Sequence, residues 1–322
     1  MENCSTIILL IISFIGYCFG QQARKFELFN TNAAIDGPQP WFDDQVPSKD
    51  HCFHKCLKNF TNCEYIQYRK ITDTSLWCKL FNIVTNLSDY LVSASGEMLA
   101  KAVHPPNCQE WRDFGFDQSG VYYIYHDGKE IPVYCMMKEQ HGWIAVQQRQ
   151  VGSVDFYRNW TEYRNGFGDP ATDYYLGNEL IHQLTFGRQM QIAIVGQDFN
   201  DELRILYFDG FYIENEQTRY KLHAGAFSTD SPSPQNLAGD WLEKDGMSFT
   251  TKDNDNDLKA ENCAERWTTA GWLVGCLKLC FNGPYSNTED ISSTVAKGLI
   301  WNAWKGYQRS LKHAGMYIRE MS

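Results

Sequence analysis

Three aspartates, Asp253, Asp255 and Asp257, stand at alternate positions ahead of two cysteines, Cys263 and Cys276, that enclose a tryptophan-containing loop. Carboxylates spaced like this repel one another, and a hard cation taking about six to eight oxygen ligands would offset the repulsion. The spacing is not that of an EF-hand. Counted from Asp253, the sixth position is Leu258, where that loop needs glycine, and the twelfth is Ala264, where it needs a bidentate glutamate. A solvated acidic turn that holds no ion is the other reading of the same residues.

No other pattern offers reaction chemistry. HExxH, GxSxG and Walker sequences are absent. Gly166 to Ala171 (GFGDPA) mimics a dinucleotide fingerprint, but no βαβ pattern surrounds it. The eight histidines are scattered, and none pairs locally with a serine or cysteine nucleophile. A non-enzymatic protein is therefore expected. The net charge of -10 argues against nucleic acid and anionic membrane as partners. At 322 residues, one or two domains are expected, and the 15% aromatic content suits a loop-rich fold whose rings provide much of the buried area.

The acidic run is followed by NCA, the tryptophan loop, the second cysteine and FNGPY (Phe281 to Tyr285). Upstream stand SGVYYIYHDGKEIPVYC (Ser119 to Cys135), HGWIAVQQRQVGSVDFYRNWTEYRNGFG (His141 to Gly168) and YYLGNELIHQLT (Tyr174 to Thr185). Downstream stands GLIWNAWKGYQRSLKHAGMYIR, Gly298 to Arg319. In this order the segments resemble a fibrinogen-related domain over about Cys108 to Ser322, and so many ordered matches make a specific signal.

The resemblance implies a calcium site formed by the side chains of Asp255 and Asp257 and the backbone carbonyls of Lys259 and Glu261, with Asp253 as a neighbouring charge. Extracellular calcium modules bind at about 10⁻⁴–10⁻³ M, so the ion would brace the loop. It also implies disulfides Cys108–Cys135 and Cys263–Cys276. Beside the ion, the family carries a ligand pocket, which maps here onto Trp267, Gly275, Cys276, Leu277, Val295, Ala296 and Tyr307. The Gly275–Cys276 peptide is expected to be cis, as it often is in the family. Acetyl-binding members place histidine directly after the second cysteine, where this chain has Leu277, and an aromatic where it has Val295. Such a pocket is more apolar and lacks a polar anchor, which argues against an acetylated sugar. A merely structural concavity is the alternative. Cys280 falls where relatives usually have asparagine, and it remains over when the other mature cysteines pair. It is either a buried thiol or the bridge of a disulfide-linked dimer.

The elements that must position these residues are legible in outline. VYYIYH and IPVYC flank a hairpin turn at Asp127-Gly128. A Cys108–Cys135 loop around them would be worth about 3 kcal/mol in the chain-entropy model. WIAVQQRQ is a strand; NWTEYRNGF and GNELIHQLT are short helices, the second capped by Asn178. MQIAIVGQDF, ILYFDGFYIENE and YKLHAG supply further strands. The expected class is α+β: an antiparallel sheet, short helices and a long irregular C-terminal region.

Upstream, Met1 to Gly20 carries an apolar run, Ile7 to Ile15, and reads as a signal peptide; an uncleaved anchor is the alternative. Residues 21–50 read as an extended segment, broken by Pro38 and Pro40. Cys52, Cys56, Cys63 and Cys78 follow; zinc ligation with His51 and His54 is the weaker reading in a secreted protein, and the sequence alone leaves three disulfide connectivities open. Two cysteines on a short helix, then CEYIQY and WCKLF as strands, resemble a PAN or apple module over residues 51–104. That resemblance implies Cys52–Cys78 and Cys56–Cys63; a stapled spacer without its own ligand is the other reading. The stiff HPP of His104 to Pro106 links it to the fibrinogen-related domain, residues 105–322. Asn59, Asn86 and Asn159 head glycosylation triplets. No collagen-like or heptad stem is present. The expectation is a secreted, extracellular, calcium-dependent, lectin-like protein that binds a glycan or a protein through its C-terminal loops and suits innate recognition. The alternative is a signalling or matrix ligand docking a cell-surface receptor.

Overall fold

The computed structural model of the protein describes residues 105–113 and 116–321, and upstream of them only the backbone of strands. The protein divides into two compact units, Met1–Pro132 and Val133–Ser322. In the first, the strands Lys25–Asn30, Glu97–Val103, Tyr65–Thr72, Ser75–Phe81 and Phe42–Val46 form one antiparallel sheet in that order. The expected extended segment thus contributes strands to the sheet that contains Tyr65–Thr72 and Ser75–Phe81. The PAN or apple-like module as such, its two disulfides, and Asn59 and Asn86 lie outside the described residues. Nearer the boundary, the helix Cys108–Asp113 buries Trp111, whose ring meets Phe116 edge-on and whose Nε1 donates to the Tyr123 carbonyl at 2.8 Å. The hairpin turn forms at Asp127 and Gly128, with positive φ at both (47° and 75°), as a type I′ turn requires.

The second unit is organised by an antiparallel sheet. Its strands run Phe167–Gly168, Tyr174–Tyr175, His141–Arg149, His313–Glu320, Met190–Gln197, Leu203–Asp209 and Ala226–Phe227, with Lys129–Lys138 also pairing to His141–Arg149. The last of these strands in sequence lies in the middle, between His141–Arg149 and Met190–Gln197. Every residue of His141–Arg149 after His141 is buried, so this strand is covered on both faces and reads as a continuous run rather than an alternation.

The helices form as expected, with one correction. Trp160–Asn165 is closed by a capping box: Asn159 Oδ1 accepts from the Glu162 N–H and the Glu162 carboxylate accepts from the Asn159 N–H. Asn178–Thr185 is not capped by Asn178. Its N-cap is Gly177, which has no side chain to offer, and Asn178 is drawn inward instead, its Oδ1 accepting from the Tyr175 hydroxyl at 2.6 Å. Between the helix Trp160–Asn165 and the C-terminal loops lies an aromatic core. There Tyr163 meets Phe167 and Tyr175 edge-on at 5.0 Å, and Phe249 meets Trp272 at the same separation. Among the described residues no helix is long and apolar enough to cross a membrane.

Candidate functional site

The acidic loop is shaped by its own carboxylates. Asp255 Oδ1 accepts from the Asp257 N–H at 3.1 Å, and Asp257 Oδ1 accepts from the Lys259 N–H at 2.7 Å, giving two successive Asx turns. Asp257 Oδ2 also accepts from the Cys263 N–H at 2.9 Å, so this one carboxylate spans the loop. Asn262 then caps the helix Cys263–Trp267, accepting from Ala264 and Glu265 N–H groups. Neither Asp255 nor Asp257 takes part in an ion pair among the described residues. The Glu261 side chain pairs with Arg266, and Lys259 is exposed. Asp253 lies outside this pair: its Oδ1 accepts from the Trp160 N–H at 2.9 Å and from the Thr251 hydroxyl at 2.7 Å. It anchors the loop to the N-terminus of a helix, where a negative charge is favoured.

Among the described residues, no cluster of three or more His, Cys, Asp or Glu side groups could hold a metal. The set implied by the sequence is of another kind, two carboxylates and two backbone carbonyls. An all-oxygen set with two carboxylates lacking a cationic partner suits a hard cation.

Cys263 and Cys276 are disulfide-bonded across 5.2 Å between Cα atoms. Cys108 and Cys135 are each disulfide-bonded as well. The expected cis bond at Gly275–Cys276 is corrected by the structure: no cis peptide occurs among the described residues. The sharp reversal there is made by φ instead, at +55° for Gly275 and +77° for Cys276. For a non-glycine residue that is a sparsely populated conformation, and the disulfide holds Cys276 in it.

Of the pocket residues, the structure gathers four. Leu277 and Ala296 are buried in one cluster with Cys280, Ile291 and Ile300, and Trp267 and Cys276 pack against it. The Trp267 Nε1 is buried without a hydrogen-bond partner among the described residues. Val295 and Tyr307 stay at the surface, 41% and 38% exposed, and Gly275 is exposed. The Ala296 N–H donates to the Tyr307 carbonyl at 2.8 Å, and Ala296 itself has φ +67°. Partial burial pushes the Tyr307 phenol above its ordinary pKa, with the Asp240 charge adding to the effect. The site is thus a buried apolar floor under an exposed rim, set beside the acidic loop.

Side chains from the sheet hold this region, and no local sequence pattern announces them. Gln147 Nε2 donates to the Phe281 carbonyl (3.0 Å) and to Asn282 Oδ1 (3.1 Å). Arg149 Nη1 donates to the carbonyls of Phe281 and Gly283, both at 2.8 Å, while its guanidinium lies 3.9 Å from the Phe156 ring centre. A Cβ at Gly283 would stand 2.3 Å from the Gly298 carbonyl oxygen, so the loops approach each other backbone to backbone there. Cys280 is a buried free thiol, 2.9 Å from the Thr269 hydroxyl.

Residues 104–321 match the family formed by the C-terminal globular domain of the fibrinogen beta and gamma chains. The protein belongs to this family. Human ficolin-3 is 34% identical over 218 residues, covering 67% of this chain and 70% of that one. Ryncolin-4 of Cerberus rynchops is 36% identical over 66% of this chain and 60% of its own, and mouse tenascin-R is 33% identical over 67% and 15%. The fibrinogen-like globe domain of human ANGPTL6 superposes with a TM-score of 0.63 at 30% identity, over 68% of this chain and 97% of that one. Lamprey fibrin D-dimer, solved with the peptide Gly-His-Arg-Pro-amide, superposes at 0.58 and 29% identity, over 68% and 76%. Fibrinogen-related domains are non-enzymatic recognition or signalling modules, in keeping with the absence of a catalytic pattern in this sequence.

Proposed function

We propose that this protein is a secreted, calcium-braced recognition protein of lectin type, binding its ligand through the C-terminal loops of the fibrinogen-related domain. The observation that carries the reading is the loop architecture. A disulfide and a network of buried hydrogen bonds hold two non-glycine residues at positive φ beside an exposed apolar rim. Strain maintained in this way is a property of binding sites. Similarity to ficolin-3 and ryncolin-4 supports the lectin reading.

Calcium would be held by the carboxylates of Asp255 and Asp257 with the carbonyls of Lys259 and Glu261. When bound, it would supply charge neutralisation and rigidity to the loop, with no reaction at the metal. The protein's own residues do the positioning. Asp257 fixes the start of the helix Cys263–Trp267, and that helix carries Trp267 to the apolar floor. Extracellular location, glycosylation at Asn159 and the alternative of a disulfide-linked dimer through Cys280 belong to the same proposal. The helix cap uses Asn159 Oδ1, whereas a glycan attaches at Nδ2, so the two roles are compatible.

A second reading is favoured by one feature. The floor presents Leu277 rather than a polar anchor, and Val295 and Tyr307 rise from its rim. Such a surface also suits a protein partner, as expected of a signalling or matrix ligand docking a cell-surface receptor. Similarity to tenascin-R and ANGPTL6 supports this alternative. A glycan and acetyl-ligand array probed with and without chelator separates the two. Sugar binding that disappears on chelation is the expected outcome. A silent array, with binding to a cell-surface protein, would replace the lectin reading with the second one.

A further inference from the structure

Beside Leu203–Asp209 the edge of the sheet is closed by side chains. Ala226–Phe227 pairs with the end of that strand, at Phe208 and Asp209, and the chain then continues as Ser228-Thr229-Asp230-Ser231-Pro232-Ser233-Pro234. Pro232 and Pro234 have no N–H, so this segment cannot extend the ladder. Serine hydroxyls stand in for the missing groups. Ser231 Oγ accepts from the Tyr207 N–H at 2.8 Å and donates to the Tyr207 carbonyl at 3.2 Å. Ser233 Oγ accepts from the Ile205 N–H at 2.9 Å, while the Ser233 N–H donates to the Ile205 carbonyl at 3.1 Å. An edge that would otherwise invite another strand is covered in this way.

Four hydroxyls lie in this strap, and they differ in what they are free to do. Ser228 and Ser233 are buried. Ser231 is half-buried, and its hydroxyl is used both as acceptor and as donor. Thr229 is the exception. The Ser231 N–H donates to the Ser228 carbonyl at 3.2 Å, closing a turn that carries Thr229 and Asp230 at its exposed tip. The Thr229 hydroxyl has no partner among the described residues. Pro232, Pro234, Gln235 and Asn236 are exposed as well, so the downstream flank is open and carries no charge. Hydroxyl side chains set among prolines are the composition of O-glycosylated segments.

We propose that Thr229 is an O-glycosylation site, modified by a glycosyltransferase of the secretory route that uses a nucleoside-diphosphate N-acetylhexosamine as donor. Thr229 Oγ1 attacks the anomeric carbon of the donor. The Oγ1–C1 bond forms, the bond from C1 to the diphosphate oxygen breaks, and the hydroxyl proton leaves with the nucleoside diphosphate. On the folded chain the serines are spared, because sugar on Ser231 or Ser233 would require the strap to lift from Tyr207 and Ile205. The glycan at the turn adds a hydrated cover to the strapped edge. The inference rests on the reading of the protein as secreted.

The test expresses the full-length protein in cultured animal cells and recovers it from medium and cells separately. After trypsin digestion, the peptide of residues 222–244 is mapped by electron-transfer fragmentation. Protein from the medium should carry a glycan that begins with N-acetylhexosamine on Thr229, with Ser231 and Ser233 bare. Thr229→Ala should lose the glycan entirely, and Thr229→Ser, which keeps the hydroxyl, should retain it. A bare peptide on protein from the medium overturns the proposal and leaves the secreted reading standing. Protein found only inside the cells overturns both. A glycan on Ser231 or Ser233, in the wild type or in Thr229→Ala, overturns the proposal as well, since the strap would then be open to the transferase.

Discussion

The sheet and the C-terminal loops are equally buried at their centres but are held by different means. In the sheet, the strands Met190–Gln197 and His313–Glu320 pair without interruption over eight residues. Each backbone group finds its partner by repetition, and side chains only decide which face is inside. In the loops, strands such as Leu279–Cys280 and Ile300–Trp301 are two residues long. There the backbone groups depend on individual side chains: Arg149, Gln147, Asp257 and Asn262. A ladder tolerates change at one position because its neighbours repeat the interaction. A network of single bonds does not, and that is the condition under which a loop can hold an unusual shape against solvent.

The sharpest way to break this contrast is Arg149→Met. Phe281 keeps a donor in Gln147, but the Gly283 carbonyl loses the Arg149 donor, and the contact with the Phe156 ring is lost. An unsatisfied buried carbonyl costs about 1–3 kcal/mol and a desolvated cation–π contact about 2 kcal/mol, so a loss of about 3–5 kcal/mol in urea unfolding is expected. Hydrogen exchange should accelerate first in residues 279–301, with Met190–Gln197 still protected. Equal acceleration in both regions would mean that the sheet and loops form one cooperative unit, and the contrast would fail.

Calcium sharpens the same comparison on a smaller scale. An ion bound only by the native loop stabilises by mass action, about 1.4 kcal/mol at a free concentration ten times Kd. Calcium should therefore raise the melting temperature of the protein, and Asp255→Ala with Asp257→Ala should remove the increment. Because Asp257 also accepts from Lys259 and Cys263 N–H groups, the double variant should melt lower than wild type even in chelator. Identical melting of the wild type in calcium and in chelator would remove calcium from the account.

How much of this was legible in the sequence follows the same division. The sheet strands and both helices are marked by local apolar patterns, and the structure contains them where expected. The Asn159-to-Glu162 capping box was equally local, yet Asn159 read only as the head of a glycosylation triplet. The cap expected at Asn178 failed because the Tyr175 hydroxyl competes for that side chain. The residues that hold the loops were not legible. Arg149 and Gly283 are 134 positions apart, and a single hydrogen bond over that distance leaves no periodicity to read. The reversal at Gly275 and Cys276 was expected in the peptide bond and occurs in φ.

The smallest effect is expected at Cys280, which tests whether the loop floor behaves as a core. An unpaired cysteine in an oxidising compartment could bridge two copies of the protein. The thiol, however, belongs to a residue only 4% exposed, beside the Thr269 hydroxyl, on a strand paired with Ile300 and Trp301. Reaching a second copy would require that strand pair to open, breaking the floor on which Leu277 and Ala296 rest. A buried cysteine of this kind acts as a small apolar residue with a weak hydrogen bond. Serine keeps the size and the contact with Thr269 but places a more polar atom among Ile291 and Ile300, so a loss of about 1 kcal/mol is expected. Non-reducing electrophoresis of the purified protein should show the monomer for both wild type and Cys280→Ser. A wild-type dimer that vanishes in the serine variant would show that the floor opens in the native protein, and that the loops are less like a core than the sheet they rest on.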